Sequence, residues 1–219
     1  MGIRAPLIMS VLIVAGMLAI SLWAWPLIPE NALIAVHWGL NNKPNGYASR
    51  DVALLVMPAM AILLTLLFAF ITRLSGAGIL TRGATAYEIG WLGGLLVLAV
   101  CHVLVVMAAR GYRPDIAGNM SFVVGLLLTA IGNFLGRTRP NPFVGVRTFW
   151  SLRSDYSWEK SNRAAGRMFV VVGLATLASV AISGGKLATV VLIVGMLSAT
   201  LTAVALSYVY WKQDPERHA

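Results

Sequence analysis

Six apolar segments, each of about 20 residues or more, restrict the fold of this chain more than any other feature. An α-helix rises about 1.5 Å per residue, so each segment is long enough to cross a hydrocarbon layer of about 30 Å. Lipid offers backbone groups no hydrogen-bond partner, and continuous apolar runs without alternation exclude a β-barrel. The segments are Pro6–Trp25, Val52–Thr72, Tyr87–Ala109, Ile116–Gly136, Ala164–Ser183 and Leu187–Trp211. The sequence therefore predicts an all-α integral membrane protein with six transmembrane helices.

The distribution of charge predicts how these helices are oriented. With six crossings, both termini and the second and fourth loops share one side, which holds twelve of the 17 basic residues, whereas the other side holds five. Cytoplasmic loops are enriched in Lys and Arg, so we expect both termini in the cytoplasm and a multi-pass protein of the cell inner (plasma) membrane. The net charge of +9 is assigned to this topology and to anionic membrane lipid, not to nucleic acid. The twelve are Arg4, Arg73, Arg82, Arg137, Arg139, Arg147, Arg153, Lys160, Arg163, Arg167, Lys212 and Arg217.

The chain divides at residue 72 into two predicted regions. Residues 1–72 hold the first two helices and an outward loop, 27–51, that is rich in turn-forming residues and is expected to be folded. Within that loop we expect at least one tight turn, and Asn45-Gly46 is suited to a pair with positive φ; the turn-forming residues are Asn41, Asn42, Pro44, Asn45 and Gly46. Trp38 is suited to an anchor in the lipid headgroups. Residues 73–219 form a four-helix region whose cytoplasmic loop, 137–167, is basic and carries tryptophan.

Loop 137–167 contains the strongest candidates for a binding site. Gly145 permits a sharp bend immediately before Arg147, whose guanidinium could bind a carboxylate, a phosphate or backbone carbonyls. The alternative, that Arg147 anchors the loop to helix ends, stays open. We expect Asn141 and Asn162 to satisfy backbone groups of the loop. Thr148 or Ser154 could cap a short helix, and we expect a helix that enters the fifth apolar segment.

Two histidines could carry chemistry of their own. His37, in the outward loop, has no second histidine or cysteine at metal-ligand spacing, so a hydrogen bond within the loop is expected. His102 lies in the middle of the third segment, where we expect a neutral imidazole bonded to a neighbouring helix. No motif for a cofactor, a metal or catalysis is present, so the chain is not expected to be an enzyme.

The fourth loop resembles the signature of the SdpI-type immunity protein family. The resemblance rests on NxxxGVRTxWSL, which begins at Asn141, followed by WxKSNR, which begins at Trp158, and a glycine at 166. The chain departs from the family pattern at Phe149, where proline is usual, at Ser151, where threonine is usual, and at 161–162, where Ser-Asn replaces Thr-His. In the outward loop, a proline at 29 and the run HWGLNNKPNGY from His37 are similar to a domain of unknown function, DUF1648, often fused to this family.

The resemblance implies a membrane protein for immunity or signal transduction that gives resistance to a secreted toxic peptide. The outward loop would then bind the antimicrobial peptide, and the basic cytoplasmic loop would bind a regulator protein or lipid. A small transporter or channel is the alternative, suggested by His102, Asn119 and Asn133 within helices. Homo-oligomerisation is left open. The candidate binding residues are His37, Trp38, Asn45, Asn141, Gly145, Arg147, Thr148, Trp150, Trp158, Asn162 and Arg163.

Overall fold

The computed structural model describes residues 4–74 and 83–216, which form six long α-helices and one β-hairpin. All six helices are long and apolar enough to span a membrane, with mean hydropathy between 1.5 and 2.7, as the sequence predicts. Helix α5 begins nine residues before its apolar segment, because Ser154 caps it and its first turns are amphipathic. In chain order the elements are α1 (Arg4–Ala24), β1 (Leu33–Trp38), β2 (Pro44–Ser49), α2 (Arg50–Leu74), α3 (Ala84–Ala109), α4 (Ile116–Leu135), α5 (Asp155–Ser183) and α6 (Gly185–Lys212).

The helices pack as two groups of three. Helices α1, α2 and α3 contact one another, α4, α5 and α6 do the same, and contacts between α3 and α4 join the groups. Many large apolar side chains remain exposed on the helix surfaces, among them Leu22, Leu63 and Leu201. Such a surface would be a liability in water and is the expected surface of a bundle that faces lipid.

Helices α4 and α5 approach each other to backbone contact. A Cβ atom placed on Gly132 would lie 2.6 Å from the carbonyl oxygen of Gly166, and one placed on Gly166 would lie 2.6 Å from the carbonyl oxygen of Gly132. A Cβ on Gly173 would meet the carbonyl oxygen of Gly125 at 2.6 Å. Small residues at such contacts let transmembrane helices gain van der Waals energy from close packing. The loop between α4 and α5 therefore leaves from two closely fitted helices.

Loop 27–51 is folded, as predicted, and contributes a two-stranded antiparallel sheet to the otherwise helical structure. The buried side chain of Ile34 packs against Val105 and Val106 near the carboxyl end of α3. The predicted tight turn is present and lies at residues 40–42. The expectation of a positive-φ pair at Asn45-Gly46 is wrong, because both residues lie in β2.

Asn42 explains where the hairpin turns. It has a φ of 58°, a left-handed conformation that asparagine tolerates. Its side chain accepts a hydrogen bond from the Ala117 N–H at 3.3 Å and donates one to the Pro114 carbonyl at 3.4 Å. Contacts with the distant start of α4 therefore determine the turn. Gly46 meets a different need, because a Cβ there would lie 2.9 Å from the Cβ of His37.

The hairpin and the loop between α4 and α5 lie at opposite ends of α3. The hairpin contacts Val105, whereas Phe143 and Val144 of the loop pack against the cluster around Tyr87 and Trp91. Tyr87 and Val105 are about 27 Å apart along the helix at 1.5 Å per residue. Which end faces the cytoplasm, and the domain division at residue 72, remain predictions. Arg82 and Arg217, which entered the charge argument, lie outside the described residues.

Candidate functional site

Asn141 folds the first half of the loop between α4 and α5. Its Oδ1 accepts hydrogen bonds from the N–H groups of Phe143 at 2.9 Å and Val144 at 2.8 Å. Its Nδ2 donates to the carbonyls of Arg139 at 2.8 Å and Val144 at 3.0 Å. One buried side chain thus satisfies four backbone groups that no helix or strand could satisfy.

Asn162 and Trp158 attach the second half of the loop to α5. The fully buried Asn162 accepts a hydrogen bond from the Val146 N–H at 2.7 Å and donates to the Trp158 carbonyl at 2.9 Å. The indole N–H of Trp158 donates to the Thr138 carbonyl at 2.9 Å, across the mouth of the loop. The expectation that Asn141 and Asn162 satisfy loop backbone groups is confirmed.

Gly145 lies where only glycine fits. Its φ of 136° belongs to the region that residues with a side chain rarely adopt. A Cβ there would also lie 2.7 Å from Oδ1 of Asn162 and 2.8 Å from the ring of Trp158. Asn141, Gly145, Trp158 and Asn162, all chosen as candidate binding residues, are therefore parts of the frame of the loop.

Hydroxyl groups attach this frame to α6. The Thr148 N–H donates to Oγ of Ser151 at 2.9 Å, and the Ser151 N–H donates to Oγ1 of Thr148 at 3.1 Å. Oγ1 of Thr148 lies 2.8 Å from Oγ of Ser207 on α6, and the ring of Trp150 lies 5.1 Å from that of Tyr208. No spacing in the sequence indicates the contacts with α6, because the partners are more than 50 residues away.

The end of α6 reaches the start of α5. Ser154 accepts a hydrogen bond from the Ser157 N–H at 2.9 Å, so Ser154 and not Thr148 caps the helix. The Ser154 hydroxyl also donates to Oδ2 of Asp214 at 2.5 Å. The hydrogen bonds from the Ser154 hydroxyl and the Glu216 N–H lower the pKa of Asp214 below its ordinary value. The loop is thus fixed to α4, α5 and α6.

Four side chains project from this frame and form what we call the loop face: Arg147, Phe149, Leu152 and Arg153. Phe149 is 56% exposed and Leu152 50% exposed, and the guanidinium of Arg153 lies 3.7 Å from the centre of the Phe149 ring. Among the described residues, the Arg147 guanidinium makes no hydrogen bond or ion pair. The interpretation of Arg147 as an anchor of the loop is therefore wrong, because asparagine, serine and tryptophan side chains supply that anchoring. Sequence reasoning did not include Phe149 or Leu152 among the candidate binding residues, although Phe149 was noted as a departure from the family pattern.

The remaining candidate residues lie elsewhere. Arg163, on the exposed side of α5, pairs with Glu159 one turn earlier, as their spacing predicts. His37 and Asn45 lie on the hairpin with Nδ1 of His37 2.5 Å from Oδ1 of Asn45, so the predicted hydrogen bond within the loop is confirmed. Trp38 is half-buried against the bundle beneath them. The eleven candidates therefore form two sites, one at each end of the protein.

Two of the cavities lie beside these two sites. A groove of 660 Å³ lies between α4 and α5 near the loop, and a cavity of 230 Å³ lies under the hairpin beside Trp38 and Met120. The residues that line one do not line the other. Within residues 4–74 and 83–216, no group of three or more His, Cys, Asp or Glu side chains could hold a metal ion.

Similarity to known proteins covers both sites. Residues 137–209 match the SdpI/YfhL protein family, and residues 12–62 match a domain of unknown function, DUF1648. The chain is 25% identical over 206 residues to the immunity protein SdpI of Bacillus subtilis (strain 168), a match that covers 94% of this chain and 96% of that protein. No solved structure matches the chain, and none of these descriptions names a catalytic activity. With six helices able to span a membrane, this chain is a multi-pass membrane protein, and both of its predicted motif regions match known families, the loop the SdpI/YfhL family and the hairpin DUF1648.

Proposed function

We propose that this chain is an immunity protein, which protects the cell that carries it against a secreted toxic peptide. The observation that carries the proposal is the nearly full-length similarity to an immunity protein, which includes both the hairpin and the loop. In this proposal the hairpin faces outward and binds the peptide, and the loop face binds a protein or lipid in the cytoplasm.

The hairpin offers a surface that suits a peptide. Its outward side carries Leu33, which is 75% exposed, and Tyr47, which is 59% exposed, beside the bonded pair of His37 and Asn45. Tyrosine is enriched in binding interfaces because it combines apolar area with a hydroxyl group. Within residues 4–74 and 83–216 each strand pairs with one other strand, so each also has an edge to which an extended peptide can add a strand.

The loop face supports the second half of the proposal. A guanidinium that has no partner in the described part of the protein can form two parallel hydrogen bonds with a carboxylate or a phosphate. Arg147 is held in place by a frame that is itself hydrogen-bonded, so little conformational freedom of the backbone is lost on binding. Phe149 and Leu152 add exposed apolar area beside it.

The test is protection of a peptide-sensitive strain. Expression of the chain should raise survival against one of a panel of secreted toxic peptides, and the double variant Leu33→Ala with Tyr47→Ala should lose that protection at equal membrane abundance. Glu30→Ala, an exposed change next to the hairpin, serves as the control and should protect like the unmodified chain. Survival unchanged by the unmodified chain against every peptide would refute the immunity function. Full protection by the double variant would refute only the role of the hairpin.

The polar side chains that suggested transport lie apart from one another. His102 is buried within α1–α3, where its Nε2 lies 3.1 Å from both Oγ of Ser21 and the Met17 carbonyl. Asn119 and Asn133 are exposed near opposite ends of α4. Because this arrangement gives transport no specific support, we do not propose it.

A further inference from the structure

The groove between α4 and α5 has a cationic end and an apolar end. Arg137, Arg163 and Arg167 line it nearest the loop, and Val170 and Val171 line it deeper along α5. Val171 is 65% exposed, so the apolar end opens onto the surface that faces lipid. Arg163 and Val171 are about 12 Å apart along the helix at 1.5 Å per residue.

The cations in the groove exceed the anions beside it. Arg163 pairs with Glu159, whereas Arg137 rests its guanidinium 5.3 Å from the centre of the Phe134 ring. Arg167 is exposed and has no hydrogen bond or ion pair within the described part of the chain. Three guanidinium groups against one carboxylate leave a net charge of +2 at the mouth of the groove.

The close contact of α4 and α5 gives this groove a fixed floor. Gly132, Gly136 and Gly166 line it, and the backbone contact between Gly132 and Gly166 lies at its base. Because the glycines carry no side chains and the helices meet through their backbones, the floor of the groove beside this contact is formed by the two helices themselves. The volume of 660 Å³ lies within the range of about 300–1,000 Å³ that small-molecule sites occupy.

We propose that this groove binds one anionic phospholipid, with the phosphate against the guanidinium groups of Arg137, Arg163 and Arg167 and an acyl chain along the glycines and Val171. A phospholipid matches this arrangement, because its anionic headgroup would lie at the cationic end of the groove and its hydrocarbon chain at the apolar end. Basic pockets between transmembrane helices are suited to lipid headgroups. A soluble phosphate would use only the cationic end and would leave the apolar end unoccupied. The site does not rest on the proposed immunity function, because it lies on the bundle surface and involves neither the hairpin nor Arg147.

Lipid binding can be measured on the purified full chain in neutral detergent by native mass spectrometry. Phosphatidylglycerol should bind saturably with one tight site per chain, and phosphatidylcholine should not. A basic side chain near a membrane surface is expected to raise the affinity for an anionic lipid about fivefold. The double variant Arg137→Gln with Arg167→Gln should therefore weaken phosphatidylglycerol binding about 25-fold. Arg139→Gln is the matched control, since it removes an exposed charge at the same end without touching the groove, and it should retain binding.

A second variant separates a lipid from a free anion. Val171→Trp fills the exposed apolar end without changing any charge, so it should weaken phosphatidylglycerol binding as well. Helical circular dichroism and the thermal midpoint in detergent identify any variant that has lost its fold. Equal loss in Arg139→Gln would show non-specific surface charge, and equal binding of phosphatidylcholine would show no selection of an anion. Unchanged affinity in folded Val171→Trp, or displacement by millimolar inorganic phosphate, would show an anion site without lipid. Each of these results overturns the proposal.

Discussion

Replacing Asn162 with alanine should remove the hydrogen-bond acceptor of one backbone amide in the loop and so speed up its hydrogen exchange. Oδ1 of Asn162 is the acceptor for the Val146 N–H, at 2.7 Å, and the asparagine side chain is fully buried. A buried donor left without a partner costs about 1–3 kcal/mol. This cost lowers the free energy of opening the loop. Amide exchange around Val146 should therefore become about 5- to 150-fold faster.

Hydrogen–deuterium exchange on the full chain in detergent measures this directly. Peptides that cover 142–150 should lose protection in Asn162→Ala, while peptides from the hairpin at the other end of α3 should not change. Glu159→Ala is the matched control on the same helix, because an exposed ion pair with Arg163 contributes only about 0.3–0.5 kcal/mol. Equal protection of 142–150 in Asn162→Ala and in the unmodified chain would refute the claim that this side chain fixes the loop.

Three further predictions concern stability. Gly145→Ala should lower the free energy of unfolding by about 1–3 kcal/mol, measured by denaturant titration in detergent, because φ at this residue is 136° and the new methyl group meets Asn162; an unchanged midpoint would contradict it. Gly166→Ala should destabilise the protein by about 1–3 kcal/mol, because the new methyl group is overpacked against the Gly132 carbonyl. Gly90, a helical glycine with open space around it, is the control, and Gly90→Ala should not destabilise the protein. Equal unfolding midpoints for the two variants would argue against the close contact. Because its hydrogen bonds lower the pKa of Asp214 in the folded protein, this group should contribute stability that is present above about pH 4 and lost as the pH falls through the folded pKa. Ser154→Ala should weaken this small pH dependence, and an identical pH profile of the thermal midpoint would contradict the assignment.

The sequence predicts the local features of this protein better than its long-range ones. The lengths of the apolar runs predict all six helices, because each span must satisfy its backbone within itself. The roles of Asn141 and Asn162 follow from the same requirement applied to a loop that contains two prolines. By contrast, the hairpin turns at Asn42 because of partners at 114 and 117, and a local motif at Asn45-Gly46 gives no warning of them.

In the loop site, too, the sequence indicates the local features but not the long-range contacts. Motif positions identify the loop, but they do not distinguish its frame from its surface, since Gly145 and Arg147 are equally prominent in the pattern. That distinction depends on which side chains the three helices cover. The contacts of Thr148 with Ser207 and of Ser154 with Asp214 join residues about 60 positions apart, so no spacing rule indicates them.

The paired glycines of α4 and α5 have a mechanical consequence. Where two helices touch through side chains, rotamer changes can absorb a small tilt of one helix, but where peptide groups meet directly there is no rotamer to change. Helices α4 and α5 should then move together as one rigid body, and the loop that joins them should move with the pair. Any molecule that tilts one of these helices would thereby redirect the Arg147 side chain without breaking a bond inside the loop.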